Sequence, residues 1–335
     1  MKTCLGCLFV FFGVLVIILL MYFYHYRTTP LTWSPSAVTL TVPPGSSLKE
    51  AAHILGHHNL IDRPLLFLLL ARLKKAEHQI KSGEYTFFGP VAPEDILDKM
   101  LKGEVNSHPI TFPEGSTLFD VARIIQEAGF GPSSVVLATC RDAEFIKTLG
   151  ISAETLEGYL FPDTYRFSRD TSPAAILKKM VCRFKDIASR KLTTRAMKTG
   201  LSAQELIVLA SLVQKEAARS FEMPLIAGVF FNRLKRGMKL ECDPTVIYGL
   251  KLENPDFNRR LRKRHLLKRT PYNTYQMRGL PPGPICNPGL EAIQAVLNPA
   301  RVDYLYFVSK NNGTHKFSKS LREHNRAVNK YQRGK

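Results

Sequence analysis

The sequence predicts an α+β protein carried on an N-terminal transmembrane helix. Three observations predict it: an uncharged apolar run at residues 4–24, a strand–turn–helix pattern that occurs twice, and later strands and helices that do not alternate strictly. At 335 residues the chain is long enough for roughly two domains and a real core.

The run at 4–24 (CLGCLFVFFGVLVIILLMYFY) carries no charge. As a helix it would span roughly 31 Å at about 1.5 Å per residue, which matches a bilayer core. A signal peptide has a shorter apolar stretch and a small-residue cleavage site, neither of which is present, so the run reads as an uncleaved anchor. Lys2 and the N-terminus face His25 and Arg27 across it, which leaves the orientation open on charge alone. A long body after a single N-terminal anchor most simply lies outside the cytoplasm. Residues 28–35 then read as a short proline-bearing linker.

The repeat comes next. Leu40-Thr41-Val42-Pro43-Pro44-Gly45-Ser46-Ser47-Leu48 resembles Ile110-Thr111-Phe112-Pro113-Glu114-Gly115-Ser116-Thr117-Leu118. Each copy reads as an alternating strand, a Pro-x-Gly turn, and a hydroxyl residue that caps an amphipathic helix. Ser47 or Ser46 serves the first copy and Thr117 the second. Between them, Pro64–Lys75 reads as a helix and Gly83–Phe87 as a strand. Further on, Ser202-Ala203-Gln204-Glu205 is a capping box ahead of a buried helix ending near Glu216. A second helix runs from Pro224 to Gly237, and Asn287-Pro288 opens a third to about Leu297. Tyr304–Val308 is a strand that Asn311-Asn312-Gly313 turns into His315–Ser318, and a last helix starts at Ser320.

Formal charge is +19, with a sequence pI near 9.7. Such a surface favours polyanions, whether nucleic acid, acidic lipid or anionic wall polymer. The densest basic run, from Arg259 to Arg269, is by itself a solvated face. No zinc-finger, helix-turn-helix or RNA-recognition signature accompanies it, so no nucleic-acid partner is expected. Cys4 and Cys7 lie inside the anchor, and Cys140, Cys182, Cys242 and Cys286 lack metal-ligand spacing. Sequence leaves the pairing of those four unassigned. His57, His58 and His324 have no second ligand at metal spacing, so no metal and no cofactor is expected.

Glu157 is the candidate acid. It stands alone among Tyr159, Phe161, Pro162 and Tyr165, where dehydration would hold its proton to higher pH. A carboxylic acid still protonated near neutrality can protonate a leaving group, as glycosidic cleavage requires. The same window is equally compatible with a solvated turn. Asp163 is the nearest partner for a two-carboxylate hydrolase, although Pro162-Asp163-Thr164 also fits a turn. Gln214, Glu216, Asp243 and Asn273 are polar groups set in apolar or turn contexts and are candidates for binding substrate. Each has a plain structural reading too, such as a cap or a satisfied core amide. The loop Gly279–Gly283 is a rigid proline- and glycine-rich backbone near them. No nucleophile elbow, phosphate loop or HExxH helix appears.

Several segments together resemble the endolytic murein transglycosylase (YceG-like) family. They are Leu156-Glu157-Gly158 with Phe161-Pro162-Asp163-Thr164, Ser211–Glu216, Phe231-Asn232-Arg233-Leu234, Asp243–Tyr248, Tyr272-Asn273-Thr274-Tyr275 and Gly279–Gly283. The resemblance implies a single-pass inner-membrane protein with a periplasmic body. It implies a LysM-like module at 38–105 and a mixed α+β catalytic domain at 106–335. The family's reaction is internal cleavage of peptidoglycan glycan strands, with Glu157 as acid and base and peptidoglycan synthases as neighbours. Position 214 is Gln where the family commonly has Glu, and Tyr159 and Leu160 replace bulkier aromatics. A membrane-anchored glycan-binding protein without catalysis is the rival expectation.

Overall fold

A computed structural model describes residues 2–31, 37–258 and 260–334. Part of the expected linker (32–36) and Arg259 of the basic run lie outside the described residues. The elements in order are α1 (Lys2–Thr28), β1 (Val38–Val42), α2 (Leu48–His57), α3 (Pro64–Leu73), β2 (Gly83–Phe87), α4 (Pro93–Lys102) and β3 (His108–Thr111). Then follow α5 (Leu118–Glu127), α6 (Ser133–Thr139), α7 (Ala143–Thr148), β4 (Thr164–Phe167) and α8 (Pro173–Phe184). A wider-pitched turn (Lys185–Ser189) leads into α9 (Arg190–Thr199) and α10 (Ala203–Glu216). The chain ends with α11 (Met223–Lys235), α12 (Asp243–Glu253), α13 (Lys263–Leu267), α14 (Leu290–Leu297), β5 (Tyr306–Ser309), β6 (His315–Ser318) and α15 (Leu321–Gln332). Among the described residues the strands form three two-stranded sheets, β1–β2, β3–β4 and β5–β6. The class is α+β, with an apolar N-terminal helix long enough to cross a membrane.

The chain divides into two compact units, residues 1–109 with 166–171, and residues 110–165 with 172–335. In the first, β1 and β2 pair antiparallel from Val38↔Phe87 to Val42↔Gly83, with α2 and α3 between them in sequence. Alternation along both strands turns Leu40, Val42, Tyr85 and Phe87 inward against Leu55, Phe67, Leu70, Ile96 and Met100. The core of the second unit is helical. Leu206, Leu209, Leu212 and Val213 of α10 pack with Ile226 and Phe230 of α11 and Ile293 and Val296 of α14.

The sequence repeat is a structural repeat. In both copies the serine after the glycine bonds back to the proline carbonyl, Ser46 to Pro43 and Ser116 to Pro113, each at 3.2 Å. Gly45 and Gly115 take φ values of +80° and +77°, open to glycine without steric cost. Ser47 and Thr117 then cap reciprocally with Glu50 and Asp120. The likeness runs to the helix ends, where Asn59 and Gly129 adopt left-handed φ. In the second copy the return strand, β4, comes only after α7 and the loop that carries Glu157.

Other expectations shift by local physics. The third predicted helix starts at Leu290 behind Gly289, because Asn287 is drawn into bonds elsewhere. Asp243 does not cap a helix; Cys242 holds that place and Asp243 begins α12. In α11, Arg233 is buried and spends its guanidinium on the carbonyls of Leu305, Lys239 and Leu240, while Asn232 binds those of Val302 and Tyr304. These two polar residues tie the start of the last sheet to the helical core. Cys140, Cys182, Cys242 and Cys286 are free thiols.

Candidate active site

Glu157 lies in the second unit with 1 % of its surface exposed. Its Oε2 accepts the backbone N–H of Leu118 at 3.0 Å and the phenol of Tyr248 at 2.9 Å. Its Oε1 accepts the Asn287 amide at 3.2 Å. Leu118 is the first residue of α5, so the carboxyl group sits at the positive end of that helix. The repeat's second turn is what presents this N–H.

Burial dominates the acid's protonation. It pushes the carboxyl up to about 8 from an ordinary 4.5, against the Leu118 and Tyr248 bonds that favour the charged form. Asp120 adds to the rise and Lys215 opposes it.

Asn287 organises the surrounding backbone. Its Oδ1 accepts the N–H groups of Gly158 and Leu160 at 2.9 and 3.0 Å. Its Nδ2 donates to the Ser116 carbonyl at 2.9 Å as well as to Glu157. The backbones meet too: Asn287 N–H donates to Ser116 O, and Gly115 N–H to Asn287 O, both at 2.9 Å. One side chain thus fixes the turn before α5 and the loop of the acid. Gly158 has φ +86°, and a Cβ there would fall 2.5 Å from Pro284 Cγ and 2.9 Å from Ile207 Cγ2. The segment 279–287 therefore packs directly on the acid's loop, held by Ser211, whose Oγ accepts the Ile285 N–H at 3.0 Å. Tyr248 is set by the ring of Tyr272, edge-on at 5.0 Å between centroids.

The expected binding residues fall into different places. Gln214 accepts the Gly289 N–H at 2.9 Å and bonds Glu114, whose carboxyl is raised by burial and by Glu291. Glu216 and Asp243 come together at the far end of α10. Burial pushes the Glu216 carboxyl up to about 7, Asp243 adds to this, and the Cys242 thiol and Arg233 oppose it. Asp243 accepts the Tyr275 phenol at 2.7 Å. Asn273 is buried, with its amide on the carbonyls of Leu266 and Lys268 at 3.0 and 2.6 Å and its Oδ1 on the Tyr275 N–H. It clamps the end of α13 to the Tyr272 loop. Asp163 pairs with Arg183 at 3.2 Å and accepts the Thr164 N–H at 2.8 Å.

Glu157's own partners were not among the sequence candidates. Asn287 read as a helix cap, Tyr248 appeared only as the last position of the segment Asp243–Tyr248, and Leu118 contributes only backbone. A carboxylic acid held neutral, buried and bordered by hydrogen-bond donors has the make-up of a general acid.

Comparison with known proteins agrees with the segments quoted above. Residues 40–330 match the YceG-like family. The chain is 33 % identical over 314 residues to the endolytic murein transglycosylase of Bacillus subtilis (strain 168), covering 89 % of this chain and 86 % of that one. It is 31 % identical over 324 residues to the protein of the same name in Streptococcus pneumoniae serotype 2, covering 88 % of this chain and 58 % of that longer one. A crystal structure of a YceG-like protein from Listeria monocytogenes superposes with a TM-score of 0.59 at 32 % identity, over 88 % of this chain and 99 % of that one. With family, relatives and solved structure in agreement along nearly its whole length, the chain belongs to the YceG-like family.

Proposed function

We propose that this protein is a membrane-anchored endolytic lytic transglycosylase that cuts peptidoglycan glycan strands between N-acetylmuramic acid and N-acetylglucosamine, with Glu157 as its acid and base. The observation that carries this reading is the burial of Glu157 behind three hydrogen-bond donors, a setting in which burial favours the neutral acid. The names of the relatives in Bacillus and Streptococcus supply the substrate class.

In the reaction Glu157 gives its proton to the glycosidic oxygen as the C1–O bond breaks. The carboxylate then takes the proton of the muramic acid C6 hydroxyl, and O6 bonds to C1 to close a 1,6-anhydro ring. No water is consumed. The sugar's own hydroxyl is already near the reacting carbon, so a second carboxylate is unnecessary. The pairing of Asp163 with Arg183 and Thr164 agrees with a structural role for that residue.

The glycan reaches the acid by displacing one of its three partners. Leu118 offers a fixed backbone N–H, and Asn287 is locked by two accepted and two donated bonds. Tyr248 is the remaining one, a phenol at the end of a long side chain. With the Asn287 Oδ1 already accepting two N–H groups, the phenol is also the partner free to accept a hydrogen bond from the protonated acid. We assign it the role of gate and orienting group. We read α1 as the anchor and the body as lying outside the cytoplasm, with the β1–α2–α3–β2 unit as the LysM-like module ahead of the catalytic domain.

The test is product analysis with purified sacculi. The native protein is expected to release anhydro-muropeptides, and Glu157→Gln to lose most turnover while keeping glycan binding. Reducing ends one water heavier would instead indicate hydrolysis, and binding without any product a glycan-binding protein.

A further inference from the structure

Apart from Arg72 in its last turn, which pairs with Glu77, the helix α3 (PLLFLLLARL) is apolar on its buried and its exposed face alike, which a helix on the surface of a soluble unit does not sustain. Phe67, Leu70 and Ala71 fill the core of the first unit. The opposite face is a stripe of leucines four residues apart, Leu65, Leu69 and Leu73, exposed by 80 %, 43 % and 64 %. Leu65 and Leu73 stand near the two ends of the helix, so the stripe runs its whole length.

The stripe lies beside the membrane-crossing helix. At the start of α3, the Arg63 carbonyl accepts the Tyr26 phenol at 3.1 Å, and the Arg63 guanidinium sits 5.1 Å from the Tyr22 ring. At the other end, Leu73 lines one groove with Leu20, Met21, Phe23 and Tyr24. Both ends of a helix roughly 15 Å long thus meet the same last turns of α1. Helix α3 therefore crosses the anchor instead of running along it, and so lies in the plane of the bilayer surface that α1 would traverse. The level is the interfacial one: Tyr22, Tyr24 and Tyr26 form an aromatic belt, and Arg27, paired with Glu94 at 3.5 Å, marks the water side. The stripe has the chemistry of an interfacial helix, leucine on one face and Arg63, Arg72, Lys74 and Lys75 at its ends.

We propose that Leu65, Leu69 and Leu73 seat α3 in the headgroup–acyl boundary of the membrane that α1 spans, so that the first unit lies on the lipid surface. The proposal rests on the reading of α1 as a membrane anchor. It commits to lipid because the stripe is continuous with the groove at the end of the anchor. On this arrangement the first unit has a fixed height above the bilayer, set by the Tyr26–Arg63 and Arg27–Glu94 contacts.

The test uses the full-length protein in lipid nanodiscs with the one tryptophan, Trp33, replaced by Phe. Single tryptophans are introduced as Leu19→Trp in the anchor and as Leu65→Trp and Leu69→Trp on the stripe. With brominated phosphatidylcholine, the Leu19 variant is expected to lose most of its fluorescence, and the two stripe variants a comparable share. A quenched Leu19 variant beside unquenched, red-emitting stripe variants overturns the seating and leaves the anchor intact. An unquenched Leu19 variant overturns the anchor reading and the seating with it. Stripe variants that are blue-shifted but unquenched, in a protein that scatters light as a dimer, overturn it in favour of a second copy.

Discussion

Tyr248 and Glu157, 91 residues apart in sequence, share a 2.9 Å hydrogen bond within one buried shell. The bond favours the ionised acid, while burial favours the neutral one, and burial is the larger effect. The balance between them yields the first expectations.

Replacing Tyr248 by Phe removes a donor to the carboxylate and leaves the ring packed on Tyr272. Loss of a bond to the charged form raises the acid's proton affinity further. The alkaline limb of the rate profile should move to higher pH, with kcat lower by about 10- to 100-fold and KM little changed. A profile superposable on the native one would remove Tyr248 from the mechanism.

In the native protein, turnover should fall as pH rises through about 8, where Glu157 loses its proton. Stability follows the same group. Between about 4.5 and 8 the folded state keeps a proton that the unfolded chain has released, so this contribution is complete below about 4.5 and is lost as pH climbs to 8. Each unit of displacement corresponds to about 1.4 kcal/mol. Thermal melts of Glu157→Gln should therefore gain on the native protein steadily from pH 5 to pH 8. A constant difference across that range would mean that the acid is hydrated.

Gly158→Ala forces a Cβ against Pro284 and Ile207 at a backbone angle that suits glycine. We expect a loss of about 3 kcal/mol or more, read by denaturant melts. The same change at Gly45, which has equally positive φ but no atom within 4 Å, should cost less, on the order of 1–2 kcal/mol. The gap between the two separates crowding from backbone strain.

Asn287→Ala leaves the Gly158 and Leu160 N–H groups and the Ser116 carbonyl without their side-chain partner. A cost of about 2–4 kcal/mol is expected, with activity lost because the turn before α5 and the acid's loop no longer hold their positions. Chemical denaturation alongside product analysis checks both.

What sequence could reveal divides by the range of the interactions involved. The two repeat turns were legible because proline, glycine and a capping hydroxyl act on their immediate neighbours, and Ser47 and Thr117 cap their helices as expected. Strand β2 and the β5–β6 hairpin followed from alternation and the Asn311-Asn312-Gly313 turn. The apolar N-terminal helix was legible from composition, although α1 extends to Thr28. Helix α9 escaped notice because the polar run 185–199 offers little apolar period to read, whereas α8 was legible in its Ser172 cap and its Ile176, Leu177, Met180, Val181 and Phe184 face but was passed over. Glu157 stood out through its aromatic setting, but its shell did not. Asn287 acts 130 residues away, and an Asn-Pro pair ahead of an apolar run looks locally like a helix start. Nothing in the pattern of α12 distinguishes Tyr248 from its apolar neighbours.

The enclosure of Glu157 has a consequence for timing. An acid held neutral by being dry is a weak donor at rest, which under the proposed function would spare the glycan beside it until one enters the site. Admitting a sugar brings polar groups and water to the carboxyl, which relieves the effect that raised its proton affinity. On the proposed mechanism, the acid would strengthen at the moment a glycosidic oxygen arrives to take its proton, and the closed shell would act as a safety catch released by the substrate.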